Sequence, residues 1–146
     1  MKKSVAKQGL FAFLAILLFV SMAGFANAAV FINEFLPRGV SDPDSEWIEL
    51  FNNGTSSVNI IDWNITDGEG LFTIPNISIN QQEFIVFAEN FTFFNATYPS
   101  VNASGIRIID YGPQSTLGLS FANGGDQINL TNSSGSVVDN ITYTSS

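Results

Sequence analysis

The sequence predicts an all-β domain, a sandwich or barrel of short strands, behind an N-terminal export segment. Three observations carry this. Short runs in which apolar and polar residues alternate recur from residue 30 to residue 143, each bounded by Gly, Asn, Asp, Ser or Pro clusters. No stretch sustains a helical apolar period. The chain past the export segment is rich in Ile, Val, Phe and Thr, which suit a pleated, half-buried surface, and its apolar content, 47 of 118 residues, argues against disorder despite the charge.

The export segment comes first. Lys2, Lys3 and Lys7 form a positive start, Leu10 to Val20 is an unbroken apolar run, and Ala26-Asn27-Ala28 has the small-x-small form that signal peptidase accepts. Residues 1–28 are therefore read as a signal peptide, cut between Ala28 and Ala29, and residues 29–146 as one β domain. The apolar run falls short of the roughly 20 residues of a membrane span. Ser21 to Phe25 would lengthen it, and contact with the membrane is expected only if the signal stays uncleaved as an anchor.

The strands follow in order. Val30 to Leu36 is the first, and Glu46 to Asn52 the second, with Ile48 and Leu50 on one face. After the turn at Asn53 to Ser57, residues 58–66 read as one strand, with Ile61, Trp63 and Ile65 alternating against Asp62, Asn64 and Thr66. Asp67-Gly68-Glu69-Gly70 reads as a hairpin turn. Residues 71–74 and 83–88 are further strands, and 90–98 is one helical turn or a loop with several buried Phe. Residues 106–109, 126–132 and 136–143 complete the set.

Composition closes several functional classes. Removing 28 residues from 146 leaves 118, enough for a packed core. All three lysines go with the signal, so Arg38 and Arg107 stand against all 13 acids, a formal charge of −11. Such a surface repels phosphate backbones and anionic lipid, so no nucleic-acid partner is expected. The chain has no Cys and no His, which excludes Ser-His-Asp and Cys-His catalysis and zinc sites built from those ligands. It must also hold itself by packing, where small exported domains often use disulfides.

Three stretches resemble one family. The first is Ile32-Asn33-Glu34-Phe35 leading to Glu46-Trp47-Ile48-Glu49-Leu50-Phe51-Asn52. The second is Val58 to Asp67 with its central Trp63, and the third is Leu119 to Tyr143 with Gly125-Asp126 and Val137-Val138-Asp139. In this order they resemble the lamin-tail domain family, in its secreted prokaryotic and archaeal form. The resemblance implies an immunoglobulin-like β-sandwich, exported or surface-attached, with a binding or structural role and no catalytic residues to carry over. Many prokaryotic members continue past the last Tyr into a further strand, and this chain stops at Ser146, so either that tail is dispensable or the reading frame is truncated.

Nine asparagines lie in Asn-x-Ser/Thr sequons: Asn53, Asn64, Asn76, Asn90, Asn95, Asn102, Asn129, Asn132 and Asn140. With 14 Asn and 23 Ser or Thr among 118 residues, chance gives about 2.7, so nine is an excess. One reading is a heavily N-glycosylated surface protein. The other is sheet patterning: residues i and i+2 share a strand face, so a polar face of Asn and Thr makes sequons automatically, as at Asn64-Ile65-Thr66, Asn129-Leu130-Thr131 and Asn140-Ile141-Thr142.

Asp42, Asp44 and Glu46 crowd one loop. Alternating acids suit Ca²⁺, but the spacing lacks the EF-hand pattern, which favours a solvated acidic turn before the strand. Ca²⁺ held there raises Tm; a turn leaves Tm unchanged. Trp47, Trp63, Tyr98, Tyr111 and Tyr143 offer a sugar-stacking platform or core packing, and the phase of Trp63 favours core. Glu34, Glu46 and Glu49 are strand carboxylates, with Glu49 beside Trp47 on one face and Glu46 beside Ile48 on the other, and no spacing specific to hydrolysis. No cofactor is implied. The expected function is a non-catalytic module, secreted or at the cell surface, with a structural or protein-interaction role. The alternatives are a carbohydrate-binding module with a cell-surface glycan partner, and a carboxylate-based hydrolase.

Overall fold

The computed structural model describes residues 30–37, 45–112 and 119–144. The predicted signal peptide, with the expected cut between Ala28 and Ala29, and the two acids Asp42 and Asp44 of the candidate Ca²⁺ loop lie outside them. Two four-stranded sheets face each other across one core. The first has the order β1-β2-β7-β8, built from β1 (Val30–Leu36), β2 (Trp47–Asn52), β7 (Phe84–Ala88) and β8 (Arg107–Asp110). The second has the order β10-β9-β4-β5, from β4 (Asn64–Thr66), β5 (Leu71–Thr73), β9 (Gly125–Thr131) and β10 (Val137–Thr144). A small ribbon of β3 (Val58–Asn59) and β6 (Ser78–Ile79) closes one end. Neighbours pair antiparallel except β7 and β8, which run parallel. A parallel pair needs a crossover, supplied by α1 (Phe91–Thr97) and α2 (Pro99–Ala103).

The alternation read from the sequence decides the inward faces. Ile32, Ile48, Leu50, Ile65, Phe72, Ile85, Phe87, Ile128 and Leu130 meet between the sheets. Trp63 packs against this core from its rim. A second, smaller core lies outside the first sheet, where Val86, Ala88 and Phe94 are buried and Trp47, Tyr98, Val101, Ile106 and Ile108 pack around them. The helices exist because this sheet face is apolar and must be covered.

Residues 58–66 are not one strand. Asn59 Oδ1 accepts the Ile61 N–H at 2.9 Å, and Asp62 takes a left-handed backbone at φ 58°. That local turn breaks the pleat, so Ile60 rather than Ile61 enters the core, and pairing resumes at Asn64. Residues 91–97 form a helix because the Asn90 side chain caps it, accepting the Phe93 N–H at 2.9 Å. Of its Phe residues Phe94 is buried, while Phe91 is exposed.

Two edges meet at β1 and β10. Each strand carries a register shift, at Ile32/Glu34 and at Val137/Asp139. Asp139 Oδ2 accepts the Ile32 N–H at 2.8 Å, so a side chain replaces the missing strand partner. Among the described residues no helix is long and apolar enough to cross a membrane.

Candidate functional site

The strand registers sort the acids by end. Glu46, Asp67, Glu69, Glu89, Asp110 and Asp126 all lie at the end where β2 starts and where β4, β7 and β8 finish. At this end three consecutive backbone amides each meet a different carboxylate. Ser120 N–H donates to Asp67 Oδ2 at 2.7 Å, Phe121 N–H to Glu46 Oε2 at 3.0 Å, and Ala122 N–H to Asp126 Oδ2 at 3.2 Å. Asp67 Oδ1 also accepts Glu69 and Gly70 N–H groups at 2.9 and 2.5 Å, which closes the β4–β5 turn. Asp110 accepts Phe91 N–H at 3.0 Å and Gly112 N–H at 2.7 Å. Glu46 is buried at 2% exposure and Asp67 at 7%. Their oxygens act as architecture, satisfying loop amides that would otherwise be buried without partners.

Tyr111 is buried beside this cluster, and its hydroxyl has no hydrogen-bond partner among the described residues. Burial, then the charges of Glu46, Glu89, Asp67 and Asp110, push its ionisation far above the ordinary tyrosine value. Tyr143 is pushed up to about 12 by burial and then Asp126, and its hydroxyl donates to the Ala122 carbonyl at 2.9 Å. Among the described residues no group of three His, Cys, Asp or Glu side chains is arranged to hold a metal ion.

The other candidates scatter. Trp47 meets Phe94 at 5.8 Å and Tyr98 at 6.1 Å between ring centres, beneath the helices, and its indole N–H is buried without a partner among the described residues. Tyr143 stacks against Phe35 at 5.0 Å. Trp47, Trp63, Tyr98, Tyr111 and Tyr143 are therefore packing residues, and no platform is built from them. A half-buried aromatic row that the sequence reading missed runs across the outer face of the first sheet. Phe51 stacks on Phe84 at 4.2 Å and meets Phe31 edge-on at 5.7 Å. The signal was present, since Phe31 and Phe51 stand out of phase with Ile32 and Leu50. Glu49 shares that outer face. Its ionisation is raised by burial, opposed by the Asn33 amide donating at 2.8 Å, and raised further by Glu34. Glu34 is exposed on β1, directly opposite Glu49. Glu46 lies on the opposite, inward side of the same strand start. The three carboxylates therefore do not form one catalytic group.

The nine sequons fall into three settings. Asn64, Asn129 and Asn140 stand on the outer face of the second sheet, Asn129 directly across from both Thr66 and Asn140. Asn53, Asn76 and Asn132 lie in turns and loops, and Asn90, Asn95 and Asn102 belong to the helices and their cap. None of the nine is buried. Asn52, outside any sequon, is fully buried, and its amide donates to the carbonyls of Ser56, Ile79 and Asn80 at 2.9, 3.0 and 3.0 Å.

Comparison with known proteins agrees with this architecture. A search of curated proteins finds no match. The family model described as Lamin Tail Domain matches residues 24–145. Its members are immunoglobulin-like domains, usually with a structural or interaction role. By a match that spans both sheets and the crossover between β7 and β8, the chain belongs to the lamin tail domain family.

Proposed function

We propose that this chain works outside the cytoplasm as a non-catalytic module, secreted or held at the cell surface, with a structural or protein-interaction role. The observation that carries this reading is the use of the acids. Of the carboxylates that the sequence offers for chemistry, Glu46 is hydrogen-bonded into the frame, where with Asp67 and Asp126 it holds the 120–122 amides, while Glu34 and Glu49 stand apart from it on the outer face. What this produces is a braced loop end with Glu69, Asp110 and Asp126 at its surface. The family membership supports the same reading. The basic, Lys-bearing segment 1–28 followed by an acidic, lysine-free domain supports export.

The test uses the native host. Fractionation with intact-mass measurement is expected to find the protein in the envelope or medium, trimmed before Ala29. Crosslinking on whole cells is expected to join it to a surface protein. Recovery from the cytoplasm at full length overturns the location. Specific binding on a glycan array replaces the protein-interaction role with carbohydrate binding. Turnover of a glycoside substrate that disappears in Glu34→Gln or Glu49→Gln overturns the non-catalytic reading.

A further inference from the structure

We propose that Asn53, Asn76, Asn132 and Asn140 carry N-linked glycans, and that the other five sequons are left bare. The inference rests on export, since the glycan donor and its transferase act outside the cytoplasm. In the step, the side-chain amide nitrogen attacks the anomeric carbon of an oligosaccharide carried on a lipid phosphate or diphosphate. The new N–C bond forms as the anomeric C–O bond breaks. The lipid phosphate leaves with the bonding electrons, and the amide gives up one proton to the transferase's base. The acceptor must therefore present a free Nδ2 together with the Ser or Thr hydroxyl two residues on.

Three structural conditions select the four. The first is a free nitrogen. Asn132 uses only its oxygen, which accepts the N–H groups of Ser134 and Ser136, both at 3.0 Å, and the Ser134 hydroxyl at 2.7 Å. Its Nδ2 makes no hydrogen bond among the described residues, and attachment there leaves the turn intact. The contrast is Asn64, whose Nδ2 reaches the Asp62 carbonyl at 3.4 Å while its partner Thr66 has its hydroxyl bound to the Gly70 carbonyl at 2.6 Å.

The second condition is that the amide and hydroxyl face the same way. Residues i and i+2 do so in a strand and do not in a helix. Asn95 and Thr97 both lie within α1, and Asn102 with Ser104 lies at the end of α2, where the Ser104 hydroxyl donates to the Val101 carbonyl at 2.6 Å. Asn90 is the cap of α1, and its Thr92 is already helical. Asn140 and Thr142 share the outward face of β10, and both are exposed.

The third condition is room. Asn129 lies on an interior strand, with Asn140 directly opposite on one side and Thr66 on the other. Side chains so placed are about 5 Å apart, too close for two sugars. Asn140 sits on the edge strand, so it takes the glycan. Asn53, Asn76 and Asn132 lie at the end of the sandwich away from the Glu46–Asp67–Asp126 group. The glycans then cover this end and one sheet face, and the Glu46–Asp67–Asp126 end stays open.

Glycopeptide mapping and intact mass of the protein purified from its own host test this. The expected result is a chain trimmed before Ala29, heavier than bare residues 29–146, with glycan at the four named positions and none at Asn64, Asn90, Asn95, Asn102 or Asn129. A trimmed chain at bare mass overturns the inference and leaves the export reading standing. A full-length bare chain in the cytoplasm overturns both. Glycan on Asn95 or Asn102 at the level of the four overturns the selection by fold.

Discussion

Asn52 and Asn53 are neighbours with opposite duties. Asn52 is sealed in, its amide tying β2 to the turn after it and to the end of β6, and its oxygen accepting Gly54 N–H at 2.9 Å. Replacing it with Ala strips partners from several backbone groups at once, and the expected cost is about 2 kcal/mol. Asn53→Gln at an exposed turn is expected to stay within about 0.5 kcal/mol. Urea titration of both variants, expressed without glycan, separates the two. Glu49 gives a second residue-scale test, this time through pH. Its folded ionisation lies above the ordinary value of 4.5, so the folded state disfavours its charge. The stability associated with the neutral form is present below that value and is lost as pH rises through the raised one. Glu49→Gln is therefore expected to raise Tm slightly at pH 7 and to match the parent near pH 4. A variant less stable at pH 7 would show that the Asn33 contact outweighs desolvation.

Among the elements, the loop at residues 119–122 depends most on other parts of the chain. Its three amides are held by carboxylates from β9 and from the residues flanking β2 and β4. Asp67→Ala releases Ser120, Glu69 and Gly70 together, and the expected loss is about 3 kcal/mol, read as a lower urea midpoint with the β4–β5 turn unprotected in hydrogen exchange. A loss below about 0.5 kcal/mol would sink the bracing argument, that being the range of a plain surface substitution. Legibility follows element length. β1, β2, β9 and β10 each run long enough to show alternation, with one face buried in the first three and half-buried in β10, and their placement is readable to within a residue. β3 and β6 are two-residue stubs with no pattern to display. α1 is too short for a 3.6 period, and only the cap at Asn90 marks it. Glu46 reads as a surface acid because its partner, Phe121, is 75 positions away. The strand setting of Asn64, Asn129 and Asn140 is legible in the sequence, yet the crowding of Asn129 between Asn140 and Thr66 required the registers.

Over the whole molecule, charge is the dominant strain. Residues 29–146 carry −11, and among the described residues Arg107 is the one cation, paired to Glu83 at 2.6 Å. With so little to neutralise it, the compact state is destabilised by self-repulsion at low ionic strength. The Debye length falls from about 30 Å at 0.01 M salt to about 8 Å at 0.15 M. Tm at pH 7 is therefore expected to rise by a few degrees over that range in NaCl, and to rise less at pH 4, where carboxylates begin to neutralise. A flat response at pH 7 would mean that the acids are already screened by their amide partners.

The two tryptophans divide the molecule into optical halves. Trp63 borders the core between the sheets, and Trp47 lies under the helices on the far side of the first sheet. Excited alone, in Trp47→Phe or Trp63→Phe, each reports one interior. If the crossover helices peel away before the sheets part, the Trp47 signal melts first and unfolding is a sequence of two events. If both traces fall together, the helical lid and the sandwich are a single cooperative unit, and a chain without disulfides derives its integrity from β2, β7 and β8, which carry side chains into both interiors.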